Sequence, residues 1–457
     1  MNASRAIRLV ATTGCLGYGF TEAAFARALS LGVDVIAADA GSMDPGPWYL
    51  GAGRPFVSEA AIARDLRLML RGARKLGVPL IIGSAGGGGG EPHLALTREI
   101  LLRVAAEEGL RFRLAVIGAE PPREWLRQRL RAGRVAPLWP VPPLTEAELD
   151  ESSRIGAMMG AEPLRRALLG GVDVVLAGRC SDSALYAVVP MMRGFNAGLA
   201  WHLGKTIECG GAIVRPKTGQ DCVIGTLRDD HFEVEPAHSD KACTVESVAS
   251  HTMYENPSCF SFIEPSGVVD TREARYEALD SRRVKVSGSR FTPAAQITAK
   301  LEGVARVGFR AVCMAGIADP VLIDGLAEFC RGIEERVAAE ADSLGIGRGT
   351  YTLSIRRYGM DALSPMPAGA PPPREVGLML DVIAHTASDA AAVLAKARYA
   401  AMHTDFPGRL CTAGNLAMPF APSDIAVGEA YRFNVWHVVE LDDPCEIFPI
   451  SFEEVGA

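Results

Sequence analysis

Four stretches of this 457-residue chain combine glycine with groups that bind or transfer protons to anions. They are Thr12-Thr13-Gly14-Cys15-Leu16-Gly17-Tyr18-Gly19, Asp39-Ala40-Gly41-Ser42-Met43-Asp44-Pro45-Gly46-Pro47, Gly83-Ser84-Ala85 with Gly86 to Gly90 and Glu91-Pro92-His93, and Gly178-Arg179-Cys180-Ser181-Asp182-Ser183. Glycine admits positive φ and lets a ligand approach backbone N–H groups, so such loops at helix N-termini suit phosphate or carboxylate. The expected substrate-binding residues are therefore Gly14, Gly17, Gly19, Ser42, Ser84, Gly86, Gly87, Gly88, Gly89, Gly90, Arg179 and Ser181. His93, opening a helix after the glycine run, and Glu91 are the expected proton-transfer groups. Arg179 could clamp a carboxylate, and Lys205, within Trp201-His202-Leu203-Gly204-Lys205, could stabilise charge that develops during reaction. Asp39, Asp44 and Asp182, with Glu208, are hard oxygen ligands that could hold Mg²⁺.

Each assignment has a plainer counterpart. Glycine also fits tight turns between strand and helix, Arg179 could pair with a neighbouring acid, and the aspartates could cap helices. The helix around residues 244–255 puts Ser247, His251, Tyr254 and Glu255 on adjacent turns, either as a solvent-facing polar face or as a site wall. No loop is a Walker A sequence, the first is GxxGxG rather than GxGxxG, and the eight histidines form no HExxH or HxH pair. Cys15, Cys180 and Cys209 lie in glycine contexts that could lower a thiol pKa, but no GxSxG elbow and no Cys–His pattern marks a nucleophile.

Positioning these loops requires strands that end beside one another. Apolar runs at Ile7–Thr12, Val33–Ala38, Val78–Ile82, Phe112–Ile117 and Val172–Ala177 alternate with helical patterns, one of them Ser58–Leu76 with Ser58 as N-cap and Gly77 past its end. Thr145 and Glu148 match a capping box. Such alternation predicts an α/β fold with an N-terminal parallel sheet covered by helices on both faces, over residues 1–205. An α+β region follows over 206–348, packed on it, and then a small C-terminal βαβ-type α+β domain over 349–457. All four loops would then emerge at one sheet edge as a glycine-lined crevice.

Composition narrows the class further. Lys plus Arg (47) against Asp plus Glu (54) gives net charge −7 without a long basic run, which argues against nucleic acid. No apolar stretch approaches the roughly 18 residues of a membrane helix, and Gly14, Gly17 and Gly19 interrupt any signal-peptide core, so a cytoplasmic protein is expected. Ten cysteines without a CxxC pair suit scattered buried thiols. A homo-oligomer is the default for a metabolic protein of this size.

The loops above, together with Ala200-Trp201-His202-Leu203-Gly204-Lys205, Cys209-Gly210-Gly211, Cys243-Thr244-Val245, Val286-Ser287-Gly288-Ser289-Arg290-Phe291 and Ala315-Gly316-Ile317, resemble the acyclic terpene utilisation (AtuA) family over about residues 5–360. The chain lacks an Arg-Ser-Gly-Asp-Lys-Gly type loop in its C-terminal region and has His403-Thr404-Asp405-Phe406-Pro407-Gly408 there instead. The resemblance implies a role in catabolism of small or branched acids, where work proceeds through free acids or CoA thioesters. The leading expectation is a lyase, a hydro-lyase acting on a small di- or tricarboxylic or branched unsaturated acid. The alternatives are an enzyme on branched acyl-CoA thioesters, with Arg54 as an extra cation for CoA phosphates, and a non-catalytic subunit or scaffold beside a small companion.

Overall fold

Val35 and Ala37 pack into one hydrophobic core while Ile36 and Ala38 pack into another. A strand buried on both faces has no polar alternation, which is why this one reads as an unbroken apolar run. The computed structural model describes residues 5–219, 221–410 and 414–456. In it five such strands run parallel: β1 (Ala6–Ala11), β2 (Val35–Gly41), β3 (Leu80–Gly87), β4 (Phe112–Ile117) and β5 (Val174–Ala177), in spatial order β1-β2-β3-β5-β4. Helices α1 (Glu59–Leu76) and α2 (Glu91–Glu107) cover one face, and α3 (Asp182–Met192) and α4 (Ala197–Ile207) the other. The Ser58 hydroxyl caps α1 by accepting from the Ala61 N–H, and Gly77 ends it in the left-handed conformation. The capping box at Thr145 and Glu148 is also present.

The sheet does not stop at its parallel strands. Val223–Arg228 pairs antiparallel with β1, from Ala6 opposite Arg228 to Ala11 opposite Val223. His231–Pro236, Val284–Ser287 and Arg275–Ala278 extend that edge, and Ile450–Val455 closes the other edge against β4. This long-range pairing changes the domain boundaries expected at 205/206 and 348/349. The chain divides instead into a unit of residues 1–305 with 433–457 and a second unit of residues 306–432. Backbone hydrogen bonds tie residues 206–305 and the C-terminus to the first sheet although their local texture differs from it. Within the first unit, Ser152–Met158 pairs with the opening residues of the strand Thr298–Ile317, and Ser261–Glu264, Gly267–Asp270 and Arg290–Pro293 form a small antiparallel sheet.

The second unit has its own core, in which Ile333, Val337, Val393 and Leu394 meet Leu378 and Leu380. Its strands are residues 306–317, Tyr351–Tyr358, Val376–Ala384 and residues 424–432, with the helix Leu326–Ser343 after the first and Ala387–His403 after the third. The spatial order is second, third, first, fourth, the split βαβ arrangement of ferredoxin-like folds. The βαβ character expected at the C-terminus is thus present, but it begins some forty residues earlier because the helix Leu326–Ser343 belongs to it.

Among the described residues no helix is long and apolar enough to cross a membrane. The described cysteines are free thiols; Cys259 is exposed, Cys209 half-buried and the others buried, while Cys411 lies outside the described residues.

Candidate functional site

The loops that follow β1, β2 and β5 do meet at one sheet edge, where residues 209–219 and helix α5 (Val245–Thr252) complete a cavity of about 430 Å³. Gly14, Cys15, Asp39, Ser42, Asp44 and Asp182 line it, joined by Cys209, Lys217, Ser247, His251, Tyr254 and Glu255. A second cavity of about 340 Å³ shares Asp182 and Glu255 with the first and is lined by Arg179, Ser181, Lys205, Glu208, Glu264 and Lys300. Both volumes lie in the range of small-ligand sites.

Asp39 sits among Ala37, Ala38 and Ala40 near the end of β2, where small side chains leave room for a carboxylate between sheet and loop. Its Oδ2 accepts from the Gly41 N–H at 2.9 Å, whereas Oδ1 is buried with no hydrogen-bond partner among the described residues. Burial, and then the charge of Asp182, push its pKa well above the usual carboxylate range against the pull of Arg179. Asp182 lies in the first turn of α3, where the helix N-terminus favours an anion. Burial raises its pKa too, but Arg179 and Lys205 oppose the rise. Burial thus favours the protonated form of both acids, and more cations oppose it at Asp182 than at Asp39. Across the cavity His251 is 7% exposed, and its Nε2 also lacks a partner among the described residues. Its ring stacks on Tyr254 with centroids 5.4 Å apart, and burial, with nearby Lys205, pushes its pKa down to about 4.

Around the second cavity Arg179, Lys205, Lys300, Ser181 and Ser183 each have a carboxylate partner. Helix α4 is buried all round, so its charged end must carry its counter-ions inside the protein. Lys205 Nζ donates to Glu208 Oε1 at 2.6 Å, and the Ser183 hydroxyl donates to Glu208 Oε2 at 2.8 Å. Arg179 Nε donates to Glu302 Oε2 at 2.7 Å, and Lys300 lies 2.8 Å from Glu302 Oε1. Ser181 donates to Glu264 at 2.5 Å. Burial pushes Glu264 up to about 7, while against its own burial Glu302 is held down at about 2 by Arg179 and Lys300.

Several expected site residues hold the scaffold instead. The Gly17 and Gly19 N–H groups both donate to Asp65 Oδ2, at 2.9 and 3.1 Å, and are not free for an anion. Ser84, held at φ 49°, donates to the Cys180 carbonyl and accepts from its N–H, which locks the end of β3 to the loop after β5. The run Gly86 to Gly90 is buried, and neither large cavity touches it. At Gly87 (φ +100°) a Cβ would come within 2.4 Å of the Phe56 ring, and at Gly89 (φ +65°) within 2.4 Å of the Arg179 N. These glycines therefore serve close packing.

His93 is fully buried, its Nε2–H directed at the Tyr49 carbonyl at 3.0 Å and the Arg54 carbonyl at 3.2 Å, and it lines neither cavity. Nor does Glu91, whose carboxyl is raised by burial and by Glu120, or Arg54. Arg179 and Lys205 border the second cavity, but each is engaged by a carboxylate, so neither is a free anchor. Asp39, Asp44 and Asp182 line one cavity without forming a metal-type cluster. Among the described residues the group whose ligand atoms all lie within 4.8 Å of one another is Glu208, Cys209 and His251. Glu264, Glu302 and Lys217 carried no sequence signal, whereas the helical spacing of Ser247, His251, Tyr254 and Glu255 allowed either a solvent-facing polar face or a site wall, and all four line the first cavity.

The model of the acyclic terpene utilisation family protein AtuA matches residues 59–217 and 231–423. That is well over half of the chain, and the protein belongs to this family. No curated protein and no solved structure matches it.

Proposed function

We propose that this member of the AtuA family is a lyase that adds or removes water on a small carboxylic acid, of the di- or tricarboxylic or branched unsaturated class, in the cavity lined by Asp39. The observation that carries this reading is the free, buried Oδ1 of Asp39 beside Asp182. Dehydration breaks a C–H bond next to a carboxylate and a C–O bond at the adjacent carbon. The first needs a base and the second an acid. Asp182, the more readily ionised of the pair, takes the proton from carbon. Asp39, which stays protonated, gives its proton to the departing hydroxyl, and water leaves. Transfer of the proton from Asp182 to Asp39 resets the pair, and hydration runs the same steps backwards. Lys217 lines the cavity with no ion-pair partner among the described residues and would hold the substrate carboxylate. A cavity of about 430 Å³ suits a small acid.

The test is a panel of hydroxy and unsaturated di- and tricarboxylates and branched acids, with and without Mg²⁺, followed by absorbance of the conjugated double bond. Asp39→Asn and Asp182→Asn should each lower kcat about 10²–10⁴-fold while the protein stays folded. Full activity in Asp39→Asn would overturn the assignment. Stabilisation by CoA thioesters alone would move the reading to acyl-CoA chemistry, and ligand-induced stabilisation without turnover would move it to a non-catalytic subunit.

A further inference from the structure

Three side chains, two lining the first cavity and one the second, have a donor set unlike that of Asp39 and Asp182. Glu208 and Cys209 follow directly on α4, His251 lies in the last turn of α5, and one ligand atom of each lies within 4.8 Å of the others. Glu208 is 3% and His251 7% exposed, and Cys209 is half-buried at the cavity surface. The His251 Nε2 has no partner among the described residues. A buried ring nitrogen in that state is unfavourable, and a bound cation removes the deficit.

We propose that Glu208, Cys209 and His251 bind one zinc ion whose open position faces the cavity. A thiolate, an imidazole and a carboxylate suit zinc, whereas magnesium takes oxygen ligands. Tetrahedral bonds of about 2.0–2.3 Å gather ligand atoms separated as these are with modest rotation of the side chains. Binding releases the thiol proton, and the thiolate adds a negative charge to that of the Glu208 carboxylate, which Lys205 already shares. The Glu208 oxygens already accept from Lys205 and Ser183, but each carboxylate oxygen has a second lone pair. Three protein ligands with a vacant fourth position is the pattern of catalytic zinc, which polarises a bound oxygen. The site stands independently of the lyase reading, since metal binding is measured without a substrate.

Protein stripped by a chelator should take up one Zn²⁺ per chain in equilibrium dialysis. Cobalt in its place should give a sulfur-to-cobalt charge-transfer band that Cys209→Ser abolishes and Cys259→Ser leaves intact. His251→Ala should weaken uptake by more than the roughly 10–100-fold that accompanies loss of an outer-shell partner. Should Cys209→Ser fail to fold, zinc on the unaltered chain should still protect Cys209 from alkylation, read by peptide mass spectrometry. Absence of stoichiometric uptake, a cobalt band that survives Cys209→Ser, or alkylation of Cys209 at the same rate with and without zinc would each overturn the site.

Discussion

The two cavities share Asp182 and Glu255 yet treat their polar groups in opposite ways. Around the second, Arg179, Lys205 and Lys300 each meet a carboxylate within 2.8 Å, and the Ser181 and Ser183 hydroxyls donate to acids. Around the first, Asp39 Oδ1 and His251 Nε2 are buried without partners among the described residues. Buried polar groups are nearly always paired, so an unpaired one on a cavity wall marks a place where a ligand could supply the partner. The largest expected effect follows from this contrast. Asp39→Asn should lower kcat by about 10²–10⁴-fold and leave the urea midpoint near that of the parent protein, because it removes a proton donor and no ion pair. A variant that unfolds instead would mean that Asp39 belongs with the scaffold.

The satisfied cavity should break in the opposite sense. Glu302→Gln leaves the largely buried Arg179, and the partly exposed Lys300, without their counter-ion, and removing one partner of a buried pair lowers stability by about 3–5 kcal/mol. The pH dependence supplies a second reading of the same pair. Glu302 is held at about 2, below its unfolded value, so its contribution is present above about pH 4.5 and is lost as the pH falls toward 2. Urea midpoints between pH 6 and pH 3 should therefore fall more steeply for the parent protein than for Glu302→Gln. Equal slopes would show that the Arg179–Glu302 contact contributes little.

The same contrast explains what could be read from the sequence. The five parallel strands were legible because burial on both faces leaves runs such as Val35 to Ala38 without polar residues, and caps such as Ser58 and Gly77 mark helix ends through local chemistry. The antiparallel extension through Val223–Arg228 was not, because its pairing with β1 joins residues more than two hundred positions apart. Within the site, Asp39 and Asp182 were legible as acids at strand ends, and their meeting in one cavity needed the fold to bring the loop after β2 beside the loop after β5. His93 and the Gly86 to Gly90 run looked reactive because glycine near histidine is as suited to an open anion loop as to a closed joint. The contact of Gly89 with the Arg179 backbone, which decides between them, is tertiary. Glu264 ends a four-residue strand and Glu302 lies near the start of the long strand Thr298–Ile317, and nothing local marks either as the partner of Ser181 or Arg179.

Two smaller effects sharpen the comparison. Lys217 belongs to the open cavity and touches no counter-ion among the described residues, so Lys217→Ala should raise KM for the acid substrate about tenfold with kcat little changed, the signature of binding equal in ground and transition states. A fall in kcat at constant KM would place Lys217 at the reacting atoms instead.

The smallest effect is on stability, and its sign is the informative part. The pKa of Asp39 is raised in the folded protein, so the folded state binds its proton more tightly than the unfolded chain does. That preference stabilises below the unfolded pKa and is lost as pH rises through the folded value. Asparagine at position 39 carries no such dependence. The Tm of Asp39→Asn relative to the parent should therefore climb between pH 4 and pH 8, the direction opposite to that of a residue whose charge holds the fold together. A relative Tm that falls over this range would show that ionised Asp39 is stabilised by the fold, and would place its proton on Asp182 instead.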